Sequence, residues 1–312
     1  MRQRAFMQVD VFSETAYLGN PLAVVLDGEG LTDDTMQRFA RWTNLSETTF
    51  LLPPTAAGRA QGADYRVRIF TPGGELPFAG HPTLGSCHAW LANGGQPQQA
   101  GLVVQECAKG LVPLRNSAEQ PERWAFAAPS TQRLPISEAQ LAPVLAALGL
   151  ARNQVIACEQ LNNGPNFWAL LVTDPDLVFD LQADVSALFA MGLEVGVVAI
   201  YPHNHNALIG RASREARAFT ASPAQPAEAQ PDIEVRVFFN SGVTLSEDPI
   251  TGSFNASLAQ WLIDEGHIEA PYTASQGVNM DRAGTVNISQ DASGQVWVGG
   301  HVSPSITGTV QL

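Results

Sequence analysis

Cysteine is scarce in this chain: Cys87, Cys107 and Cys158 are the only three in 312 residues. The number is odd and none are spaced as CxxC, which argues against a disulfide framework and against a zinc knuckle. Positive charge is also thin. Lys and Arg total 17 against 30 Asp and Glu, a formal net charge of −13. Without a basic stripe to displace counterions, nucleic acid is not an expected partner. Long apolar runs are missing too. No stretch approaches the roughly 18 residues needed to cross a bilayer, and the opening Met1–Asp10 has no apolar core like that of a signal peptide. A cytoplasmic protein with no membrane partner is expected.

What is present is an ordinary globular balance, 45% hydrophobic and 15% charged, in a length that suits about two domains. A short segment is written twice. His81-Pro-Thr-Leu-Gly-Ser-Cys-His-Ala-Trp-Leu91 shares Pro82, Gly85, Ser86, Ala89 and Leu91 with Pro249, Gly252, Ser253, Ala256 and Leu258. A strand-like run precedes each copy, Tyr65–Phe70 and Ile233–Phe238. Such a repeat implies two similar lobes and draws attention to the surface where they meet.

The rest of the chain is read as many short strands with a few helices, an α+β arrangement. Strands are expected near 5–12, 22–27, 49–52, 65–70, 102–105, 195–200, 295–298 and 307–312. Thr32 is a candidate N-cap for a helix that buries Met36, Phe39 and Ala40. Ser137 with Gln140 has the form of a capping box, ahead of a helix that carries Pro143 and ends at Gly149. Residues 221–231, rich in Pro and Ala, read as a surface loop. Trp42, Trp90, Trp124 and Trp168 read as core or lobe-interface aromatics. His203 and His205 have no third ligand nearby, so no metal site is expected.

Each copy of the repeat sets a proline after a polar residue, His81-Pro82 and Asp248-Pro249, at what is expected to be the first position of a helix. Gly85 and Gly252 would then lie in the first turns, where a ligand can approach the backbone amides. Two helix N-termini facing one cleft form an anion site suited to a carboxylate. Glu47 lies just before the apolar run Thr49–Leu52, where burial would raise its pKa. Pairing Gln37–Ala40 with Ala187–Ala190 at an offset of about 150 residues sets Glu47 opposite Val197, an acid against a hydrocarbon.

At Ser46-Glu47-Thr48, Gly80-His81-Pro82-Thr83 and Glu247-Asp248-Pro249-Ile250-Thr251-Gly252-Ser253 the chain resembles the PhzF-like family, named for phenazine biosynthesis. Gly19-Asn20-Pro21 near the start, and Gln276-Gly277 followed by Arg282 near the end, agree with it. The resemblance implies the diaminopimelate-epimerase-like fold: two pseudo-symmetric lobes, each a β-barrel-like sheet around a central helix. The lobes would be residues 1–125, completed by 300–312, and residues 126–299, with homodimers usual.

The resemblance also implies a cofactor-independent isomerase acting on a small-molecule carboxylate such as trans-2,3-dihydro-3-hydroxyanthranilate, with no metal. Glu47 would be the acid/base, aided by His81 and Asp248, with Asn20, Gly80, Gly252 and Ser253 binding substrate. Related epimerases use two thiols; Ala79 and Ser246 stand at those positions here. Asn255 replaces a histidine common in the family. Two other readings stay open: a two-base racemase using Glu47 and Asp248, and a carboxylate-binding protein without chemistry.

Overall fold

A computed structural model describes residues 1–116, 123–202, 231–241 and 243–312. His203, His205 and the loop at 221–230 lie outside the described residues.

The expected duplication appears as one order of strand pairing, used twice. In the first set β1 (Gln3–Val11) runs antiparallel to β2 (Asn20–Val25), and β2 runs parallel to β3 (Glu47–Leu52). Next, β3 is antiparallel to β4 (Tyr65–Phe70). This strand is flanked by β5 (Glu75–Leu76), antiparallel, and by β6 (Leu102–Cys107), parallel. An antiparallel run through β7 (Gly110–Asn116) to β8 (Trp124–Ala127) completes the set.

After β9 (Gln132–Pro135), the second set repeats the scheme. It runs through β10 (Val155–Asn162), β11 (Asn166–Val172), β12 (Glu194–Ile200) and β13 (Ile233–Asn240). The strand β13 is flanked by β14 (Leu245–Asp248), antiparallel, and β15 (Tyr272–Gln276), parallel, before β16 (Gly284–Gln290) and β17 (Val296–Gly300). The two sets exchange their outgoing strands. β9 leaves the first set to pair with β10, and β18 (Val302–Gln311) leaves the second to pair with β1. β8 and β17 also pair with each other. The lobes are therefore stitched together through their backbones.

Among the described residues the α-helices are α1 (Asp33–Thr43), α2 (Ala56–Ala60), α3 (Gly80–Ala92), α4 (Glu138–Leu148), α5 (Pro175–Asp180), α6 (Val185–Met191) and α7 (Gly252–Asp264). None of the described helices is long and apolar enough to cross a membrane. α1 is amphipathic and lies outside the first sheet, its Met36, Phe39 and Ala40 against Val25, Phe50 and Phe70. Thr32 accepts the Thr35 N–H as its N-cap. In α4 the Gln140 side chain returns to the Ser137 N–H at 3.0 Å, and Gly149 ends the helix in the left-handed conformation. By contrast α3 and α7 are buried on nearly all sides, because each fills the centre of a lobe.

Strand register corrects the expected opposition of Glu47 and Val197. Thr48 pairs with Phe70 across β3–β4, and Val195 pairs with Phe238 across β12–β13. Phe70 and Phe238 end the matching runs, so Glu47 and Glu194, one residue earlier, are counterparts. An independent pair of forks agrees: Arg68 Nε and Nη2 bind Glu75, and Arg236 Nε and Nη2 bind Glu247. Val197 packs on the outer face of its sheet with Leu188 and Leu170. Glu194 shares the inner face with Gly196 and Val198, because alternate residues of a strand point the same way.

Three smaller expectations also change. Pro82 is the third residue of α3, and Pro249 lies three residues ahead of α7, so neither proline occupies the first helical position. Gly85 meets Leu22, Val9 and Val11, which makes it a packing glycine. Trp42 is 79% exposed, stacked on Phe39 at the surface, while Trp168 is buried as expected.

Candidate active site

Glu47, the first residue of β3, faces inward toward α3 and is buried. His81, the second residue of α3, turns its Nε2 to within 3.3 Å of Glu47 Oε2. The two atoms are not aligned for a hydrogen bond, and neither has a partner among the described residues. On the far side of the ring, Nδ1 lies 3.3 Å from the Asn20 side-chain amide. That amide, on the first residue of β2, also donates to Asp248 Oδ1 at 3.1 Å and to the Ile250 carbonyl at 2.9 Å. An NH2 group surrounded by three acceptors assigns Nδ1 as an acceptor, leaving the ring proton on Nε2, toward Glu47.

Asp248 ends β14 and reaches the same cluster from the second lobe. Besides Asn20, its carboxyl accepts from Ser46 Oγ at 3.3 Å and Thr251 Oγ1 at 2.6 Å. Gln276 locks this arrangement from behind. Its amide donates to the Asp248 carbonyl and to Thr251 Oγ1, and its oxygen accepts from the Thr251 N–H and from Asn255. Asn255 therefore braces the start of α7, away from the Glu47–His81 pair.

The structure thus gathers Glu47, His81, Asp248 and Asn20 into one buried cluster, with Gly80, Gly252 and Ser253 beside it. The N-termini of α3 and α7 meet directly. A Cβ built on Gly80 would lie 2.4 Å from the Gly252 carbonyl carbon and 2.6 Å from the Ser253 nitrogen. These glycines permit helix-to-helix contact. The N-cap residues Ala79 and Thr251 make no side-chain cap bond, which leaves first-turn N–H groups of both helices without a capping side chain. The helix starts also set Thr251, rather than Ser246, opposite Ala79, and neither is a thiol. Cys87 lies in the core, where burial pushes its thiol pKa upward.

Burial governs the ionisation of the cluster. It raises Glu47 well above the usual carboxylate range, and the nearby Asp248 and Glu194 charges add to this. It pushes His81 down to about 3, so the ring is neutral at physiological pH. Asp248 is raised by burial, against the opposing bonds from Thr251, Asn20 and Ser46. Glu194 is raised to about 7 by burial, opposed by the backbone N–H groups of Asn240 and Asn166, with a smaller push from Asp248. Gln276, Thr251 and Ser46 lie inside or beside the recognised motifs. Glu194 carries no motif signal, and only strand register places it.

These shifts predict opposite pH slopes for stability. A carboxyl whose folded pKa is raised holds protons more tightly when folded, so stability falls as pH rises from its unfolded to its folded value. For Glu194 that window runs from about 4.5 to about 7. Urea unfolding at pH 5 and pH 8 should show the loss, and Glu194→Gln should recover up to about 3 kcal/mol of it at pH 8. His81 acts in the other direction. Its lowered pKa removes stability as pH falls from 6.5 toward 3.

Comparison with known proteins identifies the family. The family model described as "Phenazine biosynthesis-like protein" covers residues 9–308. The chain is 33% identical to the Antisense-enhancing sequence 1 protein of Schizosaccharomyces pombe, over 99% of each chain. It is 32% identical to the trans-2,3-dihydro-3-hydroxyanthranilate isomerase of Pseudomonas aeruginosa, over 93% of this chain and 91% of that one. The crystal structure of a Bacillus anthracis PhzF-family phenazine biosynthesis protein superposes over 100% of both chains, at a TM-score of 0.74 and 21% identity. From the family match and named isomerases that align with nearly its whole length, this chain belongs to the phenazine biosynthesis-like protein family and is an isomerase.

Proposed function

We propose that this isomerase catalyses a cofactor-independent proton shift on a small carboxylate, with Glu47 as the shuttle. The observation that carries this reading is Glu47 Oε2: buried, without a hydrogen-bond partner among the described residues, and 3.3 Å from the protonated nitrogen of a neutral His81. Its raised pKa lets it hold a proton at one stage and release it at the next. The substrate carboxylate would rest on the first-turn N–H groups of Gly80, Gly252 and Ser253. As Glu47 removes a proton from one carbon, the C–H electron pair moves into the conjugated system. The same carboxyl then returns the proton to another carbon on the same face. His81 and Asp248, both held by Asn20, would orient the polar substituents.

The relative's substrate, trans-2,3-dihydro-3-hydroxyanthranilate, is the first compound to try. In D₂O, NMR should show deuterium at one ring carbon together with a moved double bond. Absence of both would overturn the reading for this compound. Interconversion of enantiomers without migration would instead support the two-base racemase. Asp248 is less free for that role, because three side chains already hold its carboxyl. A homodimer in the cytoplasm belongs to the same proposal, as do a first lobe of 1–125 completed by 300–312 and a second of 126–299.

A further inference from the structure

Gln276 lies buried at the end of β15, behind the residues that would move the proton. Its amide can be oriented in one way only. Oε1 must face the Thr251 N–H, which can only donate, and Nε2 must face the Asp248 carbonyl, which can only accept. Nε2 therefore also donates to Thr251 Oγ1, at 3.0 Å. That fixes the direction of the next bond. Thr251 Oγ1 carries one hydrogen, and among the described residues its one acceptor is Asp248 Oδ2, at 2.6 Å. The other carboxyl oxygen also meets donors. The Asn20 amide, oriented by the Ile250 carbonyl, donates to Oδ1 at 3.1 Å, and Ser46 Oγ donates to it at 3.3 Å. A proton on Oδ2 would meet the Thr251 hydrogen, and one on Oδ1 would meet the Asn20 hydrogens. Hydrogen-bond polarity thus favours Asp248 as a carboxylate, against the opposing effect of its burial.

Two features separate this chain of bonds from the needs of the fold. Thr251 is the N-cap of α7, where threonine ordinarily accepts a first-turn N–H, yet its hydroxyl makes no cap bond. It is turned to Asp248 instead. The first lobe, moreover, has no such chain. Arg66 pairs with Glu106 across β4–β6 as Glu234 pairs with Ser275 across β13–β15, so register sets Cys107 in the place of Gln276. Ala79 likewise caps α3 where Thr251 caps α7. A duplicated fold carries the Gln–Thr pair only in the lobe that carries Asp248.

We propose that Gln276 is a positioning residue for the proton shift: through the Thr251 hydroxyl it keeps Asp248 the fixed anion of the cleft, so that the mobile proton belongs to Glu47. This rests on reading Glu47 as the shuttle. The Asp248 charge opposes ionisation of Glu47 and so helps it retain its proton. The other groups acting on Asp248 are Glu247 beside it, itself paired with Arg236, Glu194 on β12, and the neutral His81 across the Asn20 amide.

The test reads protonation directly and needs no substrate. In the full-length protein, with carbon-13 in the Asp and Glu carboxyls, NMR titration follows Asp248 and Glu47, assigned through Asp248→Asn and Glu47→Gln. Thr251→Val removes the hydroxyl and keeps the shape of the side chain. It should raise the proton affinity of Asp248 about 10- to 100-fold, the range of a hydrogen bond to a charged group, and lower that of Glu47. Thr251→Ser keeps the hydroxyl and should leave both midpoints in place. Gln276→Met should move both midpoints as Thr251→Val does, and the double variant should move them little further, because one residue acts through the other. An unmoved Asp248 midpoint in Thr251→Val or in Gln276→Met, a shift in Thr251→Ser as large as in Thr251→Val, or additive shifts in the double variant would each overturn the proposal. If Gln276→Met folds poorly, the two Thr251 variants still decide. The expected titrations without any deuterium exchange in the unmodified protein would count against the shuttle reading alone.

Discussion

Glu47→Gln is expected to abolish proton transfer while leaving the protein folded. The glutamine keeps the shape of the side chain, so the inner face of β3 and its contact with His81 persist. It cannot accept a proton from carbon at the required stage. General acid–base steps of this kind contribute about 10²–10⁴-fold, and single-turnover exchange in D₂O should fall by that factor. Stability should move the other way above neutral pH. Burial and the Asp248 and Glu194 charges oppose the ionised form of Glu47, and an uncharged amide escapes that opposition. A less active but more stable variant therefore distinguishes a working acid from a structural one. Full exchange activity in Glu47→Gln would remove Glu47 from the mechanism.

The second large effect is expected at Gly80. Alanine there places its Cβ within 2.4 Å of the Gly252 carbonyl carbon, and the obstructing atoms are backbone at the first turn of a buried helix. No rotamer change relieves such a clash, so α3 and α7 must separate. Overpacking of this kind typically costs about 1–3 kcal/mol, and here it would also shift the N–H groups proposed to hold the substrate. Gly252→Ala offers an internal control, because its nearest contacts lie at 3.0 Å. Thermal unfolding should rank Gly80→Ala below Gly252→Ala and both below the unmodified protein. Equal stability of all three would show that the helix ends are not pressed together.

Much of this site was legible from the sequence, and the boundary of that legibility has a physical basis. Local motifs carried Glu47, His81, Asp248 and Asn20, and the structure joins all four in one row, Glu47 beside His81, His81 beside Asn20 and Asn20 beside Asp248. The capping signals at Thr32, Ser137 and Gly149 were equally readable, because a cap depends on residues three or four positions apart. The opposition of Glu47 and Val197 failed because it relied on a fixed sequence offset across a long gap. The loops between strands differ in length from one lobe to the other, so an offset that aligns the two helical motifs misaligns β3 with β12. A shift of that kind exchanged Glu194 for Val197, because neighbouring strand residues face opposite sides of the sheet.

The role of the repeated glycines changed for the same reason. Gly85 and Gly252 occupy matching places in the repeated motif, yet Gly85 packs on Leu22 while Gly252 faces Gly80. The helices begin at different points of the two copies, and helix starts depend on which N–H groups find partners in the folded chain. By itself the sequence determined that there are two related lobes, which follows from repetition, while its resemblance to the family implied that the helix ends meet at a cleft in the company of an acid and a histidine. Only the tertiary structure decided that the acid is present twice, as Glu47 and Glu194, while the lobes differ in His81 against Ser253. It could do so because cross-strand register, which joins residues far apart in the chain, alone determines which side chains face the same cleft.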